Sequence, residues 1–210
     1  ALPISMKLHG WTDIAPVDIM DEEGEMELPV PEGKRIQVNY VGAHLANYDS
    51  MLVLSHFKGH PMGGFGGALK NISIGIASSH GKAYIHGSGK PEEIWTGDHD
   101  SFLESMADAD KSIVKHFGDK IAFINVMRNM SVDCDCVAKA ADPCMKDIGI
   151  LASLDPVALD QACIDMVYQS NDPGKAELIE RIESRNGTLT IKAAEAVGVG
   201  TREYELVNVD

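Results

Sequence analysis

The sequence predicts an α/β fold, with a layered, mixed or mostly parallel sheet flanked by helices. Three observations carry that reading. Ile121–Met127 (IAFINVM) is a continuous apolar run, as expected of a strand covered on both faces. Ser101–Phe117 sets Leu103, Met106, Ile113 and Phe117 at spacings of 3, 7 and 4, the period of an amphipathic helix, with Asp100 or Ser101 as its N-cap. Asp155-Pro156 then opens a second long helix, running to about Gln169, with Asp as N-cap and Pro in the first turn. Strands alternating with helices are the order of a layered α/β fold.

The remaining elements follow in order along one domain of 210 residues. Residues 1–34 read as a short helix or arm, a candidate strand at Ala15–Met20, and a solvated acidic loop carrying Asp21, Glu22, Glu23, Glu25 and Glu27. Ile36–Val41 and Met51–Ser55 are short β-rich runs separated by a turn at Tyr48-Asp49-Ser50. Gly66–Ile74 reads as helical after its glycine entry, and Asp98-His99-Asp100 as the polar lead-in to the helix that follows. Ile148–Leu151 is a further strand candidate, helices are expected near Lys175–Arg185 and Ile191–Val197, and Glu203–Val207 is expected as a final strand. Trp11 and Trp95 are read as packing residues. Asp160 and Asp165 project about 140° apart on a helix, so they make no paired-carboxylate metal site there.

Composition narrows the function classes. Hydrophobic residues make up 44% of the chain, enough for a core, and the net charge of −14 disfavours a phosphate-backbone partner and argues against an anionic membrane surface, so neither nucleic acid nor membrane is expected as a partner. No apolar run approaches the ~18 residues that span a bilayer. Four cysteines in 210 residues do not make a disulfide scaffold, so a reducing cytoplasm is expected. Ala1 in place of Met points to a processed N-terminus or a start inside a longer polypeptide.

The segment Ser55–His86 stands apart. It gathers His56, His60, His80 and His86, with His44 just upstream, and several lysines around a run of glycines. Buried polar groups are costly without partners and glycine weakens regular structure, so this composition points to a ligand or metal site. Neither phosphate-binding glycine motif fits. Ala83 follows Lys82 where a P-loop has Ser or Thr, and Leu69 replaces the last glycine of G-x-G-x-x-G. A looser anion site at a helix N-terminus near Gly66–Lys70 remains open. Imidazoles carry protons and bind metals, and a desolvated lysine serves as base or nucleophile. The alternative for each single histidine is a turn cap or a solvated side chain.

His60, Lys70 and His86, separated by ten and sixteen positions around a GG-x-LK core and a following IGIAS, resemble the catalytic half of nickel-dependent lactate racemases. The resemblance implies that Lys70 carries the nickel pincer cofactor covalently, that His86 ligates nickel and that His60 moves a proton. That family's second acid/base histidine and substrate-binding arginine lie further upstream than this chain extends, so a two-base racemisation is not implied.

Cys134-Asp135-Cys136, with Cys144 eight residues on, forms a second candidate for zinc or an iron–sulfur cluster; the alternative is free thiols. Cys163 shares an apolar helix face with Leu159 and Met166 and reads as core. LSHFKGHPMGGFGGALKNISIGIAS, DCDCVAKAADPCMKDIGILASLDPVALDQA and GTREYELV together resemble, over nearly the whole chain, an uncharacterised bacterial and archaeal domain-of-unknown-function family commonly described as iron–sulfur centre proteins. That resemblance implies a longer protein with an upstream part and a ferredoxin-like module. The expected site therefore has His60 and Lys70 as catalytic groups and Gly63, Gly64, Gly66, Gly67 and Lys70 around a cofactor. Its metal ligands would come from His56, His86, Cys134, Cys136 and Cys144. The expected occupant is an iron–sulfur cluster, zinc or a nickel cofactor, serving redox or small-acid chemistry. Two alternatives stand beside it: a small anionic substrate held by Lys58, Lys70 and the glycine backbone, and a docking domain for a ferredoxin-like partner.

Overall fold

The computed structural model describes residues 2–134 and 140–209. In chain order these form α1 (Leu2–Leu8), α2 (Trp11–Ile14), β1 (Glu25–Pro29), β2 (Val38–Gly42), β3 (Met51–His56), β4 (Lys58–His60) and β5 (Gly64–Gly66). There follow α3 (Ala68–Lys70), which continues into a π turn at Asn71–Gly75, then α4 (Ser79–His86), α5 (His99–Phe117), β6 (Ile121–Met127), β7 (Gly149–Ser153), α6 (Pro156–Gln169), α7 (Lys175–Ser184) and α8 (Thr188–Ala196).

The apolar run β6 is the middle strand of a mixed sheet in the order β3-β6-β7. β3 runs parallel to it, with Met51 opposite Ile121, and β7 runs antiparallel, with Met127 opposite Gly149. Val53, Ser55, Ile121, Phe123, Asn125, Met127 and Leu151 point into the buried face, against α3 and α6. The other face is open. Leu52, Leu54 and Ile150 are 59%, 60% and 63% exposed, and Ala122, Ile124 and Val126 between them are half-buried. The expectation of cover on both faces is therefore corrected: within the described residues, helices cover one face only. A run apolar at every position does not reveal which of its faces is covered. Leu54→Gln is accordingly expected to change stability by less than about 0.5 kcal/mol, whereas Phe123→Ala costs about 3–5 kcal/mol in urea unfolding.

The two long helices start where capping chemistry puts them. Asp98, rather than Asp100 or Ser101, caps α5 by accepting the Ser101 N–H at 2.9 Å, and Asp155 caps α6 through the Val157 and Ala158 N–H groups. α5 also carries Asp108, whose carboxylate accepts the N–H groups of Lys34, Arg35 and Ile36, and Glu104, which pairs with the Lys34 and Arg35 side chains.

Five other expectations are corrected. Ala15–Met20 is irregular, while part of the expected acidic loop is β1, paired antiparallel with β2 from Glu25 opposite Gly42 to Pro29 opposite Val38. Its charges mask an edge strand that buries little besides Leu28. Glu203–Val207 pairs with no strand among the described residues; it runs exposed beside β7 and α6, bordering a groove of about 770 Å³. α8 begins at Thr188, three residues before the expected start. Trp11 and Trp95 stand exposed rather than packed.

Candidate functional site

Ser55–His86 is not one loop. It ends β3, turns through the β4–β5 hairpin (Lys58 opposite Gly66, His60 opposite Gly64), enters α3 and the π turn, and finishes as α4. Two of its expected cofactor glycines serve the fold instead. Gly64 has φ +78° and lies against Gly187, where a Cβ would approach the Gly187 Cα to 2.7 Å. At Gly67 a Cβ would stand 2.4 Å from Oδ1 of Asp160.

Asp160 explains that close approach. It projects from α6, fully buried, and accepts the N–H groups of Ala68 at 2.8 Å and Leu69 at 3.0 Å, with Asn125 Nδ2 donating to it at 2.7 Å. Burial pushes its carboxyl up to about 6 against the pull of those three donors. The helix N-terminus near Gly66–Lys70 is thus taken by the chain's own carboxylate, which corrects the expectation of a backbone anion site there.

The other two glycines border side chains of the expected chemistry. A Cβ at Gly66 would stand 3.5 Å from Lys58 Nζ and 3.7 Å from Lys70 Cδ; one at Gly63 would stand 3.6 Å from His60 Nδ1 and 3.7 Å from Lys70 Cδ. Lys58, His60 and Lys70 therefore run side by side across positions that carry no side chain.

The histidine of this group is held in one tautomer. His60 is 8% exposed, and its Nδ1 lies 3.1 Å from the Met62 amide and 3.0 Å from the Gly63 amide. Backbone amides only donate, so Nδ1 is bare and the neutral ring keeps its proton on Nε2. Burial first, then the charges of Lys70, Lys58, His86 and Arg181, push His60 down to about 3. His86 is the mirror case. Its Nδ1–H donates to the Lys82 carbonyl at 2.6 Å, and its ring stacks on Phe102 at 4.5 Å, which leaves Nε2 with the lone pair. Burial lowers His86, the Lys82 carbonyl offsets part of this, and the Lys70 charge lowers it further. The Lys70 charge thus bears on both His60 and His86.

The other candidates go elsewhere. His56 donates from Nε2 to the Arg128 carbonyl at 2.7 Å when neutral, His80 pairs with Glu25 at 3.0 Å, and His44 lies between Asp18 and Glu23. Cys134 is buried, and Cys144 donates its thiol proton to the Met130 carbonyl at 3.2 Å. Burial raises that thiol, with Glu177 and Asp172 adding to the shift. Cys136 lies outside the described residues. Among the described residues, no three His, Cys, Asp or Glu side chains come together as a metal site. Cys163 is core, as expected.

Sequence reasoning missed three contributors. α7 packs on β4 and β5 and brings Arg181, paired with Asp133, within electrostatic reach of His60, and Arg185, which donates to the Pro61 carbonyl at 2.7 Å. Nothing in the local pattern links α7 to a hairpin more than a hundred residues earlier. Asn125 had a signal: it is the one polar residue in IAFINVM, and it falls on the buried side.

Residues 4–165 match the family described as Domain of unknown function (DUF362). The chain belongs to that family. No curated protein and no solved structure matches it. The DUF362 match takes in Lys58, His60, Lys70, His86 and Asp160 and stops inside α6, so Arg181 and Arg185 lie beyond it. No helix among the described residues of this DUF362 chain is long and apolar enough to cross a membrane.

Proposed function

We propose that the chain binds a small carboxylate- or phosphate-bearing acid between Lys58, His60 and Lys70, as the ligand site of an enzyme of small-acid chemistry. The observation that carries this reading is the state of His60: a neutral ring whose Nδ1 is occupied by two backbone amides, beside two lysines. A neutral imidazole so held offers Nε2–H to a ligand oxygen as a fixed hydrogen-bond donor, while the lysines supply the charge. In a chain of net charge −14, Lys58 and Lys70 set positive charge beside His60, which draws an anion to this point. In this reading His86, whose Nδ1 donates to the Lys82 carbonyl, serves through Nε2 as the proton acceptor.

The test is calorimetric titration with oxalate, lactate and inorganic phosphate. One of them is expected to saturate a single site, with Lys70→Met and Lys58→Met each weakening it about tenfold or more. Absence of saturable binding by all three, or unchanged affinity in both variants, would sink the reading.

The lone pair on His86 Nε2, together with the racemase resemblance, favours a second reading in which Lys70 holds a nickel pincer cofactor and His86 ligates its metal. That group supplies an electron acceptor for the substrate when bound. Stoichiometric nickel in protein purified without oxygen, lost on Lys70→Met, would support this second reading. Zinc or an iron–sulfur cluster draws less support, because Cys144 keeps its proton on a carbonyl.

A further inference from the structure

We propose that Asp160 is a positioning residue for Lys70: its buried carboxylate pins the single helical turn from which Lys70 reaches the anion. This deepens the anion-site reading and rests on it.

A lysine is a poor point of fixed charge unless its backbone is held, because its four-carbon stem has many rotamers. The element that carries Lys70 cannot hold itself. α3 is one turn, Ala68–Lys70, and an isolated turn is below the length at which helices are stable in water. It then continues into the π turn Asn71–Gly75, a geometry that is rare and frequent at functional sites.

Two anchors hold this turn to the sheet. At its start, both Asp160 oxygens take the Ala68 and Leu69 N–H groups, and Asn125 of β6 fixes the carboxylate from behind. Just past Lys70, Asn71 Nδ2 donates to Ser55 Oγ at 2.9 Å and the Leu54 carbonyl at 3.2 Å on β3. Lys70 lies between these anchors. Gly67 completes the arrangement, since any side chain there would displace the carboxylate.

The placement has a chemical consequence. Because Asp160 satisfies the amides that open α3, an anion is read by the Lys58, His60 and Lys70 side chains and not by the helix N-terminus. Moving Asp160 would release those amides and shift Lys70 together.

The experiment uses the full chain with lysines reductively dimethylated with ¹³C, which keeps their charge, and the Lys70 resonance assigned by its loss in Lys70→Arg. In Asp160→Asn one oxygen acceptor becomes a donor facing an amide. The expected result is a Lys70 titration midpoint moved by about half a unit or more while other lysines hold, with oxalate affinity down about tenfold. Thermal unfolding and far-UV circular dichroism report whether the fold is retained. If Asp160→Asn fails to fold, Asn125→Ser, which frees one side of the carboxylate, is expected to give the same changes at smaller size. A lowered melting temperature with Lys70 resonance and oxalate affinity unchanged would reduce Asp160 to a stabilising cap and overturn the proposal. If the wild type binds none of oxalate, lactate and phosphate, the anion reading fails, and the Lys70 resonance alone still decides the role of Asp160.

Discussion

Asp110→Asn is expected to stabilise the chain at pH 7, because it removes a buried acid that must carry a proton to stay folded. Asp110 sits on α5 with no solvent exposure, and neither of its carboxylate oxygens has a hydrogen-bond partner among the described residues. Burial raises its carboxyl well above the usual range; Asp160 adds to this, the neighbouring Ser73 hydroxyl opposes it, and Asp108 raises it again. Ser73 already donates to the Leu69 carbonyl at 2.9 Å. The sign follows from the proton count. Above about pH 4 the unfolded chain releases this proton and the folded chain keeps it, so stability falls as pH rises from that point until the folded group ionises. The cost grows by about 1.4 kcal/mol for each pH unit between the unfolded value and the point at which the folded group ionises. Asparagine is neutral throughout and recovers most of it, less the cost of its own unpaired amide. Urea unfolding at pH 5 and pH 8 checks this: the gain should be larger at pH 8, and a variant no more stable than wild type at either pH would contradict it.

The elements that were legible in the sequence are those whose signals are local. α6 announces itself by Asp155-Pro156, and α5 by its apolar spacing. β1 was not legible, because a strand at the edge of a two-stranded sheet needs few apolar residues and its glutamates dominate the pattern. Glu203–Val207 alternates as a strand does, yet pairing is a matter of which edge the chain reaches, and that is not written in the segment itself. The apolar run β6 gave its type and not its environment, since Leu52, Leu54, Ile124 and Ile150 form an apolar surface that the described helices leave open.

The candidate site divides along the same line. That Lys58, His60 and Lys70 lie side by side follows from a hairpin and the helical turn directly after it, which keep near neighbours in sequence near in space. The roles of the glycines were not. Gly67 faces an aspartate from α6 and Gly64 faces Gly187, contacts ninety or more residues distant. The protonation states of His60 and His86 were equally out of reach, since they depend on which atom meets a backbone amide and which a carbonyl.

That assignment for His60 leads to the second large effect, on the acid side. Its folded value of about 3 lies below the 6.5 of an unfolded histidine, so the unfolded chain takes up a proton that the folded chain refuses. Stability from this group is fully present above pH 6.5 and is lost as pH falls toward 3, at about 1.4 kcal/mol per unit, or about 3 kcal/mol by pH 4.5. Asp160 works in the opposite direction: raised to about 6, it adds stability as pH falls from 6 toward 4. The two nearly cancel in the wild type, and only a variant separates them. His60→Asn retains an acceptor close to the place of Nδ1 for the Met62 and Gly63 amides and removes the titration. It is expected to be less stable than wild type at pH 8, to close that gap by about 3 kcal/mol at pH 4.5, and to bind oxalate more weakly at every pH. Oxalate binding by the wild type should show no step near 6.5 from His60, since a ring already neutral at pH 5 has no proton to lose there. A binding step at 6.5 that vanishes in His60→Asn would mean that the ring works as an imidazolium, and the assignment of its proton to Nε2 alone would fall.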